Sequence, residues 1–352
     1  MQSYSLAPQP GRRHYLVTGG AGFVGSHIVL ALSDRGDDVV VIDNLSQGHR
    51  EVLPPGVSLV HADLNDIGAV NEVLRNGPWD AVLHFAAQSL VGDSMARPFH
   101  YFRQNASVGI ELINACVEQG VRRFVLSSTA NLFGTPDVVP ILENARIDPS
   151  SPYGESKWML ERALHWADRV HGLRSACLRY FNAAGADPMG RAGEDHSPET
   201  HLIPLVIDAA LGRRPELQVF GTDYPTPDGT CVRDYVHVTD LASAHLLALD
   251  RLELASVAYN VGCGTGYSVR QVIDAVERVS GRRVPVRVLG RRAGDPPVLV
   301  SSSAKLSGDT GWAPTFTRLD DIVRTAYDWR VGHPDGYRTI MRQDAALSRL
   351  AS

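Results

Sequence analysis

A run of glycines after a short apolar segment constrains this chain more than any other feature of its sequence. Residues His14–Thr18 have the composition of a buried strand, and Gly19, Gly22 and Gly25 follow it in the pattern G-x-x-G-x-x-G. Glycines at this spacing permit a tight turn, a close backbone approach to a pyrophosphate, and close packing of a helix on a strand. The free N–H groups at the start of the next helix favour phosphate. The pattern predicts a dinucleotide-binding turn.

The second apolar run supports this prediction, because it ends in an acidic residue at the expected distance. Asp38–Ile42 is followed by Asp43 and Asn44, about twenty residues beyond the glycine pattern, where dinucleotide-binding folds place a ribose-binding carboxylate. A carboxylate there can accept hydrogen bonds from both adenosine ribose hydroxyls and would repel a 2′-phosphate. The predicted cofactor is therefore NAD rather than NADP.

Strand and helix candidates alternate through the first half of the chain, as they do in a parallel sheet covered on both faces. Strands are predicted at His14–Thr18, Asp38–Ile42, Val57–His61, Ala81–Phe85, Arg123–Ser127 and Ser175–Tyr180. Helices are predicted at Phe23–Arg35, Ile67–Arg75, Phe99–Gln119 and Pro152–His171. We predict an α/β fold: a Rossmann-type doubly wound parallel sheet with a smaller C-terminal α/β substrate domain.

A chain of 352 residues is too long for one ordinary hydrophobic core. We predict an NAD-binding domain at 13–181 and a substrate domain at 182–340, because Gly, Pro and Asp become frequent after residue 181. Val232–Val238 and Ala258–Val261 have strand character again. We expect segments near 232–262 to return to the first sheet.

Two other strand ends carry candidate cofactor contacts. Asp63 and Leu64 follow the third strand, and Phe85, Ala86 and Ala87 follow the fourth. The carboxyl ends of parallel strands meet at one edge, where such folds bind their ligands. Each position taken alone is equally compatible with ordinary packing.

A tyrosine and a lysine stand four residues apart at the start of the fourth predicted helix. Ser151 is a suitable N-cap and Pro152 a suitable first helical residue, so Tyr153 and Lys157 lie on one face. A free tyrosine has a pKa of about 10, and a nearby cation favours its phenolate. Thr129, with Ser127 and Ser128 beside it, ends the preceding strand and can donate a hydroxyl to a substrate oxygen. Tyr153, Lys157 and Thr129 are the predicted catalytic group.

Composition excludes several other classes of function. The net charge is −5 and the sequence pI about 6.2, so no basic surface for nucleic acid or an anionic membrane is predicted. No stretch is long and apolar enough for a membrane span, and Met1–Arg13 resembles no signal peptide. The four cysteines are far apart, which favours reduced thiols and a cytoplasmic location. We predict no metal site.

Several longer motifs resemble the hexose 4-epimerases, that is, the UDP-galactose (UDP-glucose) 4-epimerases of the extended short-chain dehydrogenase/reductase family. The resemblance spans about residues 14–337. It is most specific in the run from Phe220 to Thr230 and the following Val232–Val238. The other motifs are Val17–Gly22, Asp43–Leu45, His84–Ala87, Ser151–Gly154 and Leu178–Asn182.

This resemblance implies that Tyr153 removes the proton of the sugar 4-hydroxyl while the C4 hydride passes to NAD. Lys157 would bind the nicotinamide ribose, Thr129 the same sugar oxygen, and the hydride would return to the opposite face of the 4-keto sugar. The implied cofactor contacts are Gly19, Gly22, Phe23, Val24, Gly25, Asp43, Asn44, Asp63, Leu64, Phe85, Ala86, Ala87, Asn105, Ser127, Tyr153, Lys157 and Tyr180. The implied contacts to a UDP-sugar are Thr129, Tyr153, Asn182, His201, Leu202, Phe220, Arg233, Arg292, Asp295 and Leu299. Arg233 could instead pair with a neighbouring aspartate, and Arg292 could lie in a solvated turn.

Four positions depart from the pattern of the family. Phe133 stands where a tyrosine is common, Ser89 where some members have a lysine that touches the cofactor, and His201 where others have asparagine. Leu299 stands where a tyrosine restricts members to plain hexoses and a small residue admits N-acetyl sugars. An apolar wall discriminates by only about 1–3 kcal/mol per group, so both classes of sugar stay open.

Other functions are compatible with parts of the pattern. A 4-epimerase acting on another UDP-sugar would have the same motifs. A nucleotide-sugar dehydratase needs an acidic residue just after Thr129, but Ala130 and Asn131 follow it. A non-catalytic NAD-binding protein would not require a tyrosine–lysine pair, and a simple dehydrogenase would release NADH. The resemblance also implies a homodimer formed by the helices at Phe99–Gln119 and Pro152–His171.

Overall fold

The structure is a computed structural model that describes residues 11–292 and 296–338. Its strands are β1 (His14–Thr18), β2 (Asp38–Asp43), β3 (Ser58–His61), β4 (Ala81–His84), β5 (Arg123–Thr129), β6 (Arg174–Tyr180), β7 (Asn182–Ala184), β8 (Leu217–Phe220), β9 (Val232–His237), β10 (Val257–Val261), β11 (Gly266–Ser268), β12 (Val286–Leu289) and β13 (Val298–Leu299). Its α-helices are α1 (Phe23–Asp34), α2 (Ile67–Arg75), α3 (Val91–Ala96), α4 (Pro98–Tyr101), α5 (Val108–Glu118), α6 (Pro152–His171), α7 (Leu202–Ala210), α8 (Val238–Arg251), α9 (Val269–Ser280), α10 (Ala304–Thr310) and α11 (Leu319–Gly332).

Seven parallel strands form the large sheet in the order β10-β6-β5-β4-β1-β2-β3. The strands are nearly continuous apolar runs because helices cover both faces of the sheet. The strand order reverses between β1 and β4, and the carboxyl ends of the strands form a crevice at such a switch point. The predicted Rossmann-type sheet is therefore confirmed, and its crevice lies between the glycine turn and the end of β4.

Each face of this sheet carries its own apolar core. On one face, residues of α1 and α8 such as Ile28, Val29 and Leu241 pack against the strands. On the other face, residues of α2, α5 and α6 such as Leu74 and Leu160 do so. We call the large sheet with these covering helices the large-sheet region.

Two smaller sheets form a second region, which we call the small-sheet region. In one sheet β9 pairs with β7 and β13 in parallel and with β11 in antiparallel orientation; in the other, β8 pairs with β12. Helices α7, α9 and α11 cover them through a core that includes Val206, Val276 and Ile322.

The expected return of the chain to the first sheet holds for one segment and is wrong for the other. Val257–Val261 forms the edge strand beside β6. Val232–His237 instead pairs with three strands of the small-sheet region, and only the helix after it, α8, packs on the large sheet. An apolar strand shows its depth of burial in the sequence but not its partner.

The helix predicted over Phe99–Gln119 is interrupted. It begins at Pro98, passes through a π-helical segment at Phe102–Ser107, and resumes as α5. Asn105, within the π segment, is buried, and its side chain bonds Gln88 and Ser156. Among the described residues, no helix is both long and apolar enough to span a membrane.

Candidate active site

The glycine turn requires glycine at two points for steric reasons. Gly19 has φ +71°, and a Cβ there would lie 2.4 Å from the backbone nitrogen of Ala86. A Cβ on Gly25 would lie 2.2 Å from the carbonyl oxygen of Gly19. Gly22 is the N-cap of α1, and Phe23 and Val24 form its first turn. The turn therefore brings bare backbone to the end of β4, as a pyrophosphate site requires.

Asp43 lies at the end of β2, directly beside this turn. Its carboxylate accepts N–H bonds from Ala21 (3.0 Å) and Leu45 (2.8 Å). Burial raises the pKa of Asp43, and these two backbone donors oppose the rise. Because each carboxylate oxygen has two lone pairs, the group can still accept bonds from a ribose.

The neighbouring strand ends lie along the same edge. Asn44 donates through Nδ2 to Asp63 at 2.8 Å. Hydrogen bonds from the backbone N–H of Asn65 and from the side-chain amides of Asn44 and Asn65 lower the pKa of Asp63. Ala86 donates its N–H to the carbonyl oxygen of Thr18 at 3.1 Å. Phe85 and Leu64 are partly buried against the core, and Ala87 is also partly exposed at the end of β4. These residues lie at or just after the carboxyl ends of β2, β3 and β4, along the edge of the sheet where the crevice lies.

The tyrosine–lysine pair stands on the first two turns of α6. Ser151 caps the helix by accepting the N–H of Gly154 at 3.2 Å, and both Tyr153 and Lys157 are buried. Lys157 donates from Nζ to the carbonyl oxygen of Ser127 at 2.8 Å. Burial lowers the pKa of Lys157 to about 8. The helix therefore holds a cation against the end of β5.

The hydroxyl of Tyr153 faces that of Thr129. Burial raises the pKa of Tyr153, and a hydrogen bond with Thr129 opposes the rise. The sequence-based expectation was a lowered pKa. In the protein itself the pKa of Tyr153 shifts in the opposite direction, because desolvation of the phenolate outweighs the hydrogen bond with Thr129. Thr129 Oγ1 also accepts from Asn131, through its backbone N–H (3.2 Å) and its Nδ2 (3.0 Å).

The residues next to this group divide between two sides of β5. Ser127 Oγ lies 2.5 Å from the phenolic oxygen of Tyr180, so both belong to the crevice side. Ser128, expected to support the catalytic group, points away: its Oγ donates to Glu161 at 2.6 Å. Glu161 also forms a buried ion pair with Arg179. Alternation of side chains along a strand accounts for the division.

Asn105 was predicted to contact the cofactor, but its side chain is occupied within the protein. Its Oδ1 accepts the N–H of Gln88 (2.8 Å), and its Nδ2 donates to the carbonyl of Gln88 (2.9 Å) and to Ser156 Oγ (3.1 Å). Asn105 thus ties the loop after β4 to α6. A direct contact through its amide would require these bonds to rearrange.

A buried histidine beside the pair was not predicted from the sequence. His84 Nδ1 lies 2.7 Å from Thr18 Oγ1, and burial, with a contribution from Lys157, lowers the pKa of His84 to about 3. The imidazole is therefore neutral next to the lysine cation. Its place at the end of β4 was the signal available in the sequence.

Three of the predicted substrate residues lie together on the sheet around β9. Asn182 donates from Nδ2 to the carbonyl oxygen of Asp234 at 2.9 Å, Arg233 follows in β9, and Leu299 is the β13 partner of Arg233. Arg233 donates to the carbonyl oxygens of Val232 (2.9 Å) and Pro296 (2.8 Å).

Phe220 and Arg292 form a second group at the end of β8 and after β12. The Arg292 guanidinium lies 3.8 Å from the centroid of the Phe220 ring, and Arg292 is otherwise exposed. The neighbouring Arg291 is engaged with Asp223 at 2.8 Å and lies over the ring of Tyr224. Asp295 lies outside the described residues.

His201 and Leu202 mark the start of α7. His201 is half exposed and pairs through Nδ1 with the buried Glu194. His201 was predicted to contact the substrate, whereas the two glutamates and the second histidine around it were not predicted. A spacing of E-x-H-x-x-E-x-H, from Glu194 to His201, was the signal available.

The other two departures from the family pattern have clear positions. Phe133 is buried and its ring lies 5.6 Å from the Arg179 guanidinium, so an apolar ring fills the place expected for tyrosine. Ser89 is exposed on the loop after β4.

These residues fit a bound NAD. Gly19 and Gly25 permit close backbone contacts that a Cβ would prevent, Asp43 is placed for a ribose, and the buried Lys157 lies against the end of β5. This combination of backbone cradle, carboxylate and cation is the donor set that a dinucleotide requires.

Known proteins are similar to this chain along most of its length. A family model described as the NAD dependent epimerase/dehydratase family matches residues 15–262. A UDP-glucose 4-epimerase from Azospirillum brasilense is 49% identical over 316 residues, covering 89% of this chain and 91% of that protein. The chain is also similar to two solved structures of UDP-glucose 4-epimerases. The one from Brucella ovis in complex with NAD has a TM-score of 0.87 at 42% identity, covering 90% of this chain and 98% of that one.

The second, from Bifidobacterium longum in complex with NAD+ and UDP, has a TM-score of 0.88 at 34% identity, covering 92% of this chain and 99% of that one. The resemblance inferred from the motifs is thereby confirmed. The protein belongs to the NAD-dependent epimerase/dehydratase family.

Proposed function

We propose that this protein interconverts UDP-galactose and UDP-glucose by inverting the sugar C4, with NAD as a bound cofactor. The observation that carries the proposal is the buried Tyr153–Lys157 pair facing Thr129 at the carboxyl end of β5. The similarity to UDP-glucose 4-epimerases along nine-tenths of the chain supports it. A protein that only binds NAD has no need of a buried phenol against a threonine hydroxyl.

NAD, when bound, supplies the hydride acceptor and donor. Tyr153 then accepts the proton of the 4-hydroxyl through its phenolic oxygen and returns it when the inverted centre forms. Lys157 keeps a positive charge beside the crevice, which favours the phenolate form of Tyr153. Thr129 holds the same sugar oxygen while its charge changes. Ser127 and Tyr180 fix the wall of the crevice between them.

The small-sheet region binds the nucleotide part of the substrate. Arg233 and Arg292 offer guanidinium groups, which suit a diphosphate because they bind its oxygens in pairs. Asn182 adds an amide donor from β7. Leu299 lies beside Arg233 in the sheet, where its volume contributes to sugar selection. Testing UDP-N-acetylgalactosamine, UDP-glucuronate and UDP-xylose beside UDP-galactose would define the preferred sugar.

We further propose that two copies associate through α5 and α6. Exposed apolar side chains lie on these two packed helices and at the start of α4: Phe99, Ile110, Met159, Trp166 and Val170. Apolar side chains exposed in such number favour burial against a second copy. The four cysteines are all free in the structure, which is compatible with the expected cytoplasmic location.

Replacing Tyr153 with phenylalanine tests the proposed function. The change removes one oxygen, so we expect kcat to fall by about 10²–10⁴-fold while NAD still copurifies with the protein. The assay follows conversion of UDP-galactose to UDP-glucose without added cofactor and without net formation of NADH.

Tyr259→Phe is the matched control. Tyr259 is also buried and its hydroxyl bonds Asp309 at 2.9 Å, but it lies on the edge strand β10. The kcat of this control should stay within about threefold of the unaltered value, because the loss of a hydroxyl far from the catalytic group affects stability more than chemistry. Full activity of Tyr153→Phe, or release of NADH as a product, would overturn the proposal.

A further inference from the structure

A cluster of two histidines and two glutamates lies at the start of α7, outside the proposed catalytic group. Glu194, His196, Glu199 and His201 each bring one nitrogen or carboxylate oxygen to a common point, and these atoms all lie within 4.8 Å of one another. The segment that carries them joins β7 to α7. His201 is also a predicted contact to the UDP-sugar, whereas Glu194, His196 and Glu199 have no role in the proposed epimerase reaction.

The distances within the cluster suit a small tetrahedral cation. His196 Nδ1 lies 3.3 Å from Glu194 Oε1 and 3.7 Å from Glu199 Oε1, and His201 Nδ1 lies 4.0 Å from Glu199 Oε1. His201 Nδ1 also contacts Glu194 Oε1 directly. Zinc bonds of about 2.0–2.2 Å to nitrogen and oxygen place neighbouring ligand atoms roughly 3.3–3.6 Å apart. The first three separations lie within about 0.5 Å of that range. An ion would replace the hydrogen bond between His201 and Glu194, and those two atoms would move apart to make room for it.

One oxygen of the cluster has an unmet requirement. Glu199 Oε1 accepts the N–H groups of Thr200 (2.7 Å) and His201 (2.9 Å), but its Oε2 is buried without a hydrogen-bond partner among the described residues. A buried carboxylate oxygen is costly to leave unpaired, and an ion that Glu199 binds through both of its oxygens would satisfy it. This oxygen is an observation independent of the spacing of the four side chains.

The burial of the cluster is arranged as a ligand site would be. The side chains of Glu194 and Glu199 are 6% and 7% exposed, whereas that of His201 is 50% exposed. A divalent cation would replace one proton on each histidine, whose pKa values the neighbouring glutamates raise against the opposing effect of burial, so the total charge of the cluster would not change. The exposed His201 gives an ion a path of entry, which a workable metal site must have.

We propose that Glu194, His196, Glu199 and His201 bind one divalent transition-metal ion, of which zinc fits the ligand set best. Nitrogen and carboxylate ligands in a four-coordinate arrangement are typical of zinc. With all four positions taken by protein, the site is structural rather than catalytic.

The position of the cluster indicates what the ion would hold together. His196 packs edge-on against Phe23 at 6.3 Å between ring centroids, and Phe23 is the first residue of α1 in the large-sheet region. Asp195, between two of the ligands, accepts the N–H of Tyr337 (3.0 Å), and its carbonyl oxygen lies 3.0 Å from His49 Nε2. The ion would fasten this loop, and with it the start of α7, against the glycine turn.

The test measures metal binding on the intact protein and does not depend on its activity. Protein stripped with a chelator and then dialysed against zinc should hold about one equivalent per chain, and cobalt(II) should give the intense visible bands of four-coordinate geometry. Zinc should also raise the Tm. Failure of epimerase activity with zinc bound would contradict the proposed function alone.

Three variants make the result decisive. His196→Ala and the shape-conserving Glu199→Gln should weaken zinc binding by more than the roughly 10–100-fold that outer-shell partners cost. His165→Ala, an exposed histidine on α6, should bind zinc as the unaltered protein does. Absence of stoichiometric zinc in the unaltered protein would show that the cluster is an ion-pair network and overturn the inference. Zinc binding by Glu199→Gln and His196→Ala as tight as that of the unaltered protein would overturn it as well.

Discussion

The two regions of the molecule position their functional groups by different means. In the large-sheet region, the glycine turn, Asp43, Thr129 and the Tyr153–Lys157 pair stand where regular strands end or a regular helix begins. In the small-sheet region, short strands and long loops are held by individual buried carboxylates. Asp234 accepts the N–H groups of Cys263 (2.8 Å), Gly264 (3.1 Å) and Ser301 (3.1 Å).

Asp240 serves in the same way at the boundary between the regions. On the first turn of α8, its two oxygens accept the N–H groups of Thr315 and Phe316, each at 2.9 Å. Regular backbone hydrogen bonds thus stabilise the large-sheet region, whereas hydrogen bonds between side chains and backbone stabilise the small-sheet region. A single substitution should therefore disturb the first region through steric conflict and the second region through unpaired backbone groups.

The largest effect is expected from Gly25→Ala, which tests the close backbone packing of the glycine turn in the large-sheet region. The new Cβ would lie 2.2 Å from the Gly19 carbonyl oxygen and 3.0 Å from Gly20 Cα, both backbone atoms that cannot yield easily. We expect a loss of at least about 4 kcal/mol in the free energy of unfolding, and NAD should no longer copurify. Urea unfolding and cofactor absorbance measure these effects.

Gly92→Ala is the control for this substitution. Gly92 lies in α3, and a Cβ there would meet nothing within 4 Å. The control should be neutral or slightly stabilising, because alanine is the better helix former. If the two variants retained NAD equally, the turn would not depend on its bare backbone.

The next largest effect is expected from Asp234→Ala, which tests the bonds between a buried carboxylate and the backbone in the small-sheet region. The change leaves three backbone N–H groups unpaired beside a cavity, so we expect a loss of about 3 kcal/mol or more in the free energy of unfolding. Weaker binding of UDP should accompany it, since Arg233 is the preceding residue. Calorimetry of UDP binding and urea unfolding measure the two effects.

The exposed Asp137 provides the comparison. Asp137→Ala should change the free energy of unfolding by less than about 0.5 kcal/mol, as surface changes usually do. Equal stability of both variants would mean that Asp234 does not hold these loops.

A smaller, pH-dependent effect is expected from Lys157→Met, which separates catalysis from stability within the large-sheet region. Burial lowers the pKa of Lys157 from 10.5 to about 8, so at neutral pH the folded protein holds a costly buried charge. The unfolded chain binds more protons between these two pKa values, and the stability of the unaltered protein therefore rises with pH in that window. Lys157→Met should be more stable at neutral pH by up to about 3 kcal/mol, less the lost bond to Ser127.

This gain should shrink as the pH rises from about 8 towards 10.5. Turnover should fall by more than about 100-fold at all pH values, because Tyr153 loses its cation. Lys305→Met is the matched control, since the exposed Lys305 also donates to a backbone carbonyl, that of Ala258 at 2.8 Å. A stability gain that did not vary with pH would contradict the assigned cause.

Predictions from the sequence were correct where a local pattern has one physical solution. The glycine spacing permits one kind of turn, apolar runs between helices build one kind of sheet, and residues 153 and 157 fall on one helical face. They were wrong or incomplete where partners come from distant segments. Strand β9 pairs outside the large sheet, and Ser128 points to Glu161.

The amino-acid sequence by itself therefore determined the parallel sheet, the cofactor turn and the tyrosine–lysine pair, because each depends on the short-range period of strand or helix. Only the tertiary structure decided that burial raises the pKa of Tyr153, and that Glu194, His196, Glu199 and His201 converge on one point. Desolvation and convergence both depend on which distant segments pack together, and no local period encodes that packing.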